Sequence, residues 1–384
     1  MVTTAAAPIG WGIVGFGWVA QDYMAPAIRE AGDRLVAIVD PDPSARSLAI
    51  SLGARVYEDA GAMAADPAVE AAYVATPNHL HAVAVAALAA AGTAVLCEKP
   101  MAAQLAEAER MAAACRGGGI LYGTAFDQRH HPAHGAMRDS VAAGDIGTPT
   151  AVRIAYACWV GSDWSAEAGR ENWRIDGSKA GGGALIDLAP HGLDLVEFLL
   201  GDPVDELTAL TQTRVQDYSV DDGAVIVGRT RSGVLVSLHV AYNCPEGLPR
   251  RRLEVVGSRA MLVAENTMGQ DGGGRVTLVD GRTGEGRVLP VSDASPFLRQ
   301  VQAFGAALRS GDDSLFSVER DLHTMRLIEM AYVSAAAAPP SPLAGEGVGP
   351  KRRRMRGSSG AYPSSVPASQ GHLLPQGEKG ERTR

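Results

Sequence analysis

Hydrophobic residues are arranged in two different ways along this chain, and the change falls near residue 150. Through about residue 125, short runs that are apolar at every position alternate with Ala-rich stretches of helical period. The runs Trp11–Val14, Leu35–Val39, Ala71–Ala75, Ala94–Cys97 and Ile120–Gly123 predict strands buried on both faces, as in a parallel sheet. Helices are predicted over Ala20–Ala31, Ser44–Leu52, His79–Ala91 and Ala103–Cys115. Strand followed by helix, repeated, is the order of an α/β layer.

After Pro149 the apolar positions alternate with polar ones over longer segments. Thr150–Ala157, Val204–Thr213, Ala224–Arg229, Val234–Ala241, Arg252–Val256 and Arg275–Val279 predict an antiparallel sheet with one covered face. Turns such as Arg231-Ser232-Gly233 join them. Helical segments at about Ala184–Leu200, Pro296–Ser310 and Val318–Ala336 complete this part, giving α/β followed by α+β. The expected division is a dinucleotide-binding Rossmann domain over 8–125 and a substrate and oligomerisation domain over 126–338, with the final helices free to pack back on the first domain. Residues 339–384 hold 8 Gly and 7 Pro and the run Lys351-Arg-Arg-Arg-Met-Arg356, which predicts a disordered tail.

A chain of 384 residues that is 46% hydrophobic is long enough for two cores. Its formal charge of −8 argues against a nucleic-acid binder held by phosphate contacts and turns attention to small-molecule chemistry. No apolar run reaches membrane-spanning length, and only Met1–Pro8 precede the first strand, so neither a membrane span nor a signal peptide is expected. Cys97, Cys115, Cys158 and Cys244 lie far apart without metal-ligand spacing, and His130-His131 has no evident third ligand. Reduced thiols in a cytoplasmic protein, with no metal, are the expectation.

The strongest local signal is Gly15-Phe-Gly17-Trp-Val-Ala20, which follows a predicted strand and opens a predicted helix. There Gly15 permits a tight turn, Gly17 lets backbone approach a pyrophosphate, and Ala20 allows close packing of helix on strand. Asp40 ends the next strand, where a carboxylate can accept from ribose hydroxyls and would repel a 2′-phosphate. Pro41 follows it rather than Arg, which favours NAD over NADP, although Arg46 on the next helix offers a counterweight. Thr76-Pro-Asn78-His-Leu-His81 lies at the carboxyl end of a strand; Thr76 and Asn78 read either as cofactor contacts or as helix caps. His79 and His81 read as helix-surface residues.

Glu98-Lys99-Pro100 places an ammonium at another strand end, where it can polarise a substrate oxygen; alone the tripeptide reads as an ordinary surface Lys near a strand end. In Gly181-Gly-Gly-Ala-Leu-Ile-Asp187-Leu-Ala-Pro190-His191, Asp187 and His191 share one helix face. They read as an acid/base pair in which the carboxylate favours and orients an imidazolium, or as a solvated pair. Pro190 inside this helix would clash with the Ile186 carbonyl; the alternative is a helix that begins near Asp187, so that the proline occupies the first turn and Asp187 is partly used as a cap.

These motifs in this order, together with Trp173-Arg174, resemble the Gfo/Idh/MocA family of glucose–fructose oxidoreductase and inositol dehydrogenase relatives over about residues 8–336. The resemblance implies an N-terminal Rossmann domain and a C-terminal domain on an open, mostly antiparallel sheet that mediates dimers or tetramers. It implies Lys99, Asp187 and His191 as catalytic residues, and Glu98, Thr76 and Asn78 as cofactor-pocket positions. Phe126–Pro132 resembles the family's substrate-side loop, with Asp127 where an Asn is common, and Arg129 and His130 become substrate candidates. Trp173 and Arg174 resemble a loop entering the active site, where an aromatic face packs on a sugar ring. The function implied is hydride transfer between a nicotinamide and a secondary alcohol or ketone of a sugar, cyclitol or related polyol. NAD-dependent glycoside cleavage and a non-catalytic cofactor sensor are the alternatives.

Overall fold

The computed structural model describes residues 7–164 and 172–337; the predicted tail lies outside the described residues. The first half builds a parallel six-stranded sheet in the order β3-β2-β1-β4-β5-β6. Its strands are β1 (Gly10–Val14), β2 (Arg34–Val39), β3 (Arg55–Tyr57), β4 (Ala71–Val74), β5 (Ala94–Cys97) and β6 (Tyr122–Thr124). Helices α1 (Ala25–Glu30), α2 (Pro43–Ser51), α3 (Ala60–Ala64), α4 (His81–Ala90) and α5 (Leu105–Gly118) connect them. Strand order reverses between β1 and β4, so a crevice opens at the carboxyl ends of those strands. The short β3 was not expected; its three residues, one exposed and two half-buried, carry too little pattern to stand out.

The helix predicted over Ala20–Ala31 is formed, but its first turn, Ala20–Met24, is π-helical. Pro26 explains this: its ring cannot accept the carbonyl one turn earlier and its nitrogen donates nothing, so the preceding turn widens.

The second half carries an eight-stranded sheet, order β14-β13-β12-β11-β7-β10-β9-β8. Its strands are β7 (Pro149–Ala157), β8 (Val204–Gln212), β9 (Gly223–Thr230), β10 (Leu235–Ala241), β11 (Arg251–Gly257), β12 (Ala260–Glu265), β13 (Arg275–Asp280) and β14 (Gly286–Leu289). The β7–β10 pair is parallel and the other pairs are antiparallel. The helices of this part are α6 (Pro132–Ala142), α7 (Gly177–Ala180), α8 (Ala184–Leu200), α9 (Pro296–Ser310) and α10 (Val318–Ala337).

One face of the second sheet is covered: Val152, Ile154, Leu238, Leu253 and Val255 pack with Leu185, Leu188 and Val196 of α8. The last two helices return to the first sheet. Phe297, Val301 and Phe304 of α9 join Trp11 and Ile13 on one face, and Leu322 and Met325 of α10 join Val74, Val95 and Met111 on the other. Farther along, Leu327, Ile328 and Ala331 of α10 belong to the core of the second sheet. Each of the buried Leu, Ile, Met and Phe side chains contributes about 1.5–3 kcal/mol of hydrophobic stabilisation, and α10 has such side chains in both cores, so it fastens them together.

Candidate active site

A cleft of about 370 Å³ runs along the carboxyl ends of β1, β2, β4 and β5 and is closed by side chains of the second half. On the first side it is lined by Gly15, Gly17, Ala20, Asp40, Thr76 and Asn78. Gly15 has φ +86°, and a Cβ there would stand 2.7 Å from the backbone of Ala75 and Thr76, so any side chain would push β1 away from the loop after β4. Asp40 is held with its carboxylate in the cleft: Phe16 N donates to Oδ2 at 2.7 Å and Asp42 N to Oδ1 at 2.8 Å. Each oxygen retains a lone pair for a further donor. Arg46 donates from Nε to the Asp40 carbonyl at 2.5 Å, and its guanidinium meets Glu58 at 3.3 Å.

These residues fit a dinucleotide. The turn leaves room for a pyrophosphate over backbone, a fixed carboxylate stands at the end of β2, and Thr76 Oγ1 is buried at the cleft with no partner among the described residues.

The loop after β4 is tied down in ways the sequence did not reveal. His81 is fully buried rather than a surface residue, and its ring nitrogens reach the carbonyl oxygens of Pro100 at 3.0 Å and Thr76 at 2.9 Å. One ring therefore spans two loops that line the cleft. Asn78 donates from Nδ2 to the Ala180 carbonyl at 2.8 Å, so it joins the two halves as well as lining the pocket.

At the end of β5, Tyr73 donates its hydroxyl to Glu98, whose carboxyl is pushed up by burial against the pull of Lys99. Lys99 precedes a cis proline and extends into the cleft. Its Nζ donates to Asp187 Oδ1 at 2.7 Å and to the Asp187 carbonyl at 3.1 Å, across 88 positions of sequence. Burial alone would raise the Asp187 carboxyl, but the Lys99 ammonium, helped by Arg174, holds it well below the usual carboxylate range.

Asp187 and His191 do share the cleft face of α8, yet the expected pairing between them is replaced. The carboxylate is bonded to Lys99, while His191 Nδ1 lies 3.5 Å from Asp127 Oδ1 and is buried with no hydrogen-bond partner. Burial, then the Lys99 charge, hold His191 well below its ordinary range despite Asp187 nearby, so the ring is neutral rather than the imidazolium expected.

Of the two helix starts considered, the structure takes the earlier one: α8 begins at Ala184, as the segment Ala184–Leu200 predicts, and Asp221 caps it by accepting from Gly183 N at 2.9 Å and Leu185 N at 2.8 Å. A Cβ at Gly183 would stand 1.9 Å from the Asp221 carbonyl, which is why glycine occupies that step. Pro190 therefore lies inside the helix, not in its first turn, and Asp187 is released from capping to face Lys99.

Trp173 and Arg174 line the cleft, with the Arg174 guanidinium 4.5 Å from the Trp173 ring centre and 5.1 Å from that of Trp164. Arg129 and His130 do not reach it. Arg129 donates to Asp194 Oδ1 at 2.6 Å within the core, and His130 stacks on Phe316 with ring centres 6.0 Å apart. The one-turn 3-10 helix Asp127–His130 turns Asp127 into the cleft and the next residues away from it. Arg251, at the start of β11, enters the lining without having been signalled by any motif.

Comparison with known proteins agrees with this architecture. The description "Oxidoreductase family, NAD-binding Rossmann fold" matches residues 9–126, and "GFO/IDH/MocA C-terminal domain" matches residues 134–263. The 1,5-anhydro-D-fructose reductase of Ensifer adhaerens is 31% identical over 328 residues, spanning 82% of this chain and 95% of that protein. The D-xylose 1-dehydrogenase (NADP(+)) 2 of Haloferax volcanii is 27% identical, over 85% of this chain and 97% of that one. Among solved structures, aldose-aldose oxidoreductase from Caulobacter crescentus complexed with glycerol superposes with a TM-score of 0.77 at 24% identity, over 86% of this chain and 98% of the other. That last likeness concerns the fold. The chain belongs to the GFO/IDH/MocA oxidoreductase family.

Proposed function

We propose that this protein moves a hydride between a nicotinamide dinucleotide and a secondary alcohol or ketone of a sugar, cyclitol or related polyol. The observation that carries the reading is the meeting of Lys99, Asp187 and His191 in the cleft that the Gly15 turn and Asp40 also line. The dinucleotide, when bound, supplies the hydride acceptor or donor.

In this reading the chain's own groups handle the proton and the orientation of the substrate. Lys99 Nζ is anchored by Asp187 through two N–H bonds, and its third can turn toward a substrate oxygen, lowering the cost of negative charge there. Neutral His191 can accept the hydroxyl proton in oxidation and return it in reduction. Trp173 offers a flat face for a sugar ring and Arg174 a donor beside it.

The preference is for NAD over NADP. Supporting it, the Asp40 carboxylate is fixed in the cleft, and Arg46 is engaged with Glu58 and the Asp40 carbonyl instead of facing a 2′-phosphate. A homodimer or homotetramer is proposed through the second sheet, whose outer face exposes Leu210, Val225, Val227 and Leu235. A cytoplasmic setting suits four cysteines that are all free thiols, three of them buried. Among the described residues no helix is long and apolar enough to cross a membrane.

The test is a screen of polyols, inositols and keto-sugars followed by NADH and NADPH absorbance. Turnover with at least one of them, faster with NAD(H), is the expected result. Tight NAD binding by fluorescence titration with no turnover on any member of the panel would remove the dehydrogenase reading and leave a cofactor sensor.

A further inference from the structure

We propose that Asp127 governs which nitrogen of His191 carries the proton, so that its ionisation decides whether the ring receives a proton from a substrate hydroxyl or gives one to a substrate carbonyl. The inference deepens the dehydrogenase reading and rests on it.

Gln128 engages the Asp127 carboxyl through its side chain and its backbone N–H. Gln128 Nε2 donates to Oδ2 at 2.9 Å and is itself fixed by the Gly269 carbonyl at 2.9 Å. Oδ1 faces His191 Nδ1 at 3.5 Å, and that nitrogen has no other partner among the described residues. The contact is long for a hydrogen bond, as catalytic contacts commonly are before substrate closes the site. With Nδ1 turned inward, Nε2 is the nitrogen left to meet a ligand in the cleft that both residues line.

A neutral imidazole has one N–H, so what Nδ1 does fixes what Nε2 offers. If the carboxyl is protonated, it donates to Nδ1 and the ring holds its proton on Nε2, ready to donate to a carbonyl oxygen. If it is ionised, it accepts from Nδ1–H and Nε2 presents a lone pair to a hydroxyl. In oxidation the substrate O–H bond breaks toward Nε2 and the Nδ1 proton passes to Asp127 Oδ1, while a dinucleotide held by the Gly15 turn and Asp40 would supply the hydride acceptor. The proton then leaves Asp127 to solvent, and reduction runs the same transfers backwards.

The surroundings poise this carboxyl within the working pH range. Burial, then the neighbouring Glu98 carboxylate, push Asp127 up to about 7 against the opposing pull of Lys99. Tyr73 of β4 and Tyr156 of β7 stand near it with their hydroxyls uncharged, and Asp187 on α8 is neutralised by Lys99. From α6, His134 bonds the Gln128 carbonyl and is held neutral by burial, at about 4. From α9, Arg299 acts on His130 and His131, and Arg129 is turned to Asp194.

Asp127 is thus a positioning residue, and its signature is a pH dependence that a packing role would not produce. Side-chain ¹⁵N spectra of the cofactor-free protein, with His191 assigned from His191→Asn, should show Nδ1 and Nε2 exchanging roles with a midpoint near pH 7. A single tautomer from pH 5.5 to 9 would overturn the proposal, and because no substrate is used, the dehydrogenase reading would survive it. In kinetics, Asp127→Asn should cut oxidation at pH 9 by tenfold or more, alter reduction at pH 6 by less than threefold, and abolish the step near pH 7. An unchanged pH profile in that variant would count equally against the proposal.

Discussion

Helix α8 brings two carboxylates against cations contributed by the preceding part of the chain, and the two pairs are set in different surroundings. Asp187 meets Lys99 at 2.7 Å at the cleft, with side chains 20% and 18% exposed; two turns on, Asp194 meets Arg129 at 2.6 Å with side chains 0% and 10% exposed. At the cleft, the ammonium overcomes burial and the Asp187 carboxyl is lowered; in the core, burial overcomes the guanidinium and Asp194 is raised to about 6. An ion pair seen as two residue types does not tell a reactive group from a buried strut. Access to the cleft and the balance of desolvation against charge do.

The sharpest way to break the comparison is at Lys99. Lys99→Ala should lower turnover by about 10²–10⁴-fold, while NAD binding followed by fluorescence changes little. Near-normal turnover would make the cleft pair as passive as the core pair. The reverse experiment is Asp194→Ala, which leaves Arg129 charged and unpaired in the core. Urea unfolding should register a loss of about 3–5 kcal/mol, with the folded fraction still turning over; equal losses of activity and stability would erase the distinction.

A third test concerns pH. The Asp127 carboxyl, raised to about 7, is protonated in both folded and unfolded chains in strong acid. As pH rises past the ordinary carboxylate range the unfolded chain loses that proton first, so its contribution to stability declines until the folded group also ionises near pH 7. Asp127→Asn should therefore raise the melting temperature relative to the parent more at pH 8.5 than at pH 4.5, and the opposite ordering would contradict the raised value. The smallest effect is expected at the exposed Arg46–Glu58 pair, where Glu58→Gln should change stability by less than about 1 kcal/mol.

The parts of the site that the sequence disclosed are those whose chemistry is local. The Gly15 turn, Asp40 after β2, Lys99 after β5 and the Asp187–His191 spacing each lie within a few residues of the element that positions them. The helical spacing correctly put Asp187 and His191 on one face, but a partner 88 positions away took the carboxylate, and no periodicity carries that information. Arg129 and His130 were misjudged for a related reason: a single 3-10 turn sends neighbouring side chains in opposite directions. His81 reads as a surface residue until the carbonyls of Thr76 and Pro100 are seen around it. The strands that escaped notice, β3, β12 and β14, include two short edges exposed in part, without the alternation that marks a half-buried strand.

The return of α9 and α10 to the first sheet has a consequence for how the protein is made. Trp11 and Ile13 emerge early in synthesis, yet Phe297, Val301 and Phe304, which cover them, are translated nearly three hundred residues later. Until then the nascent nucleotide-binding layer keeps bare, on the face that α9 will close, the aromatic and aliphatic surface that Met24 and Ile28 leave uncovered. A ribosome stalled before codon 296 should display a chain that is protease-sensitive in its first hundred residues, and release of the complete polypeptide should seal it.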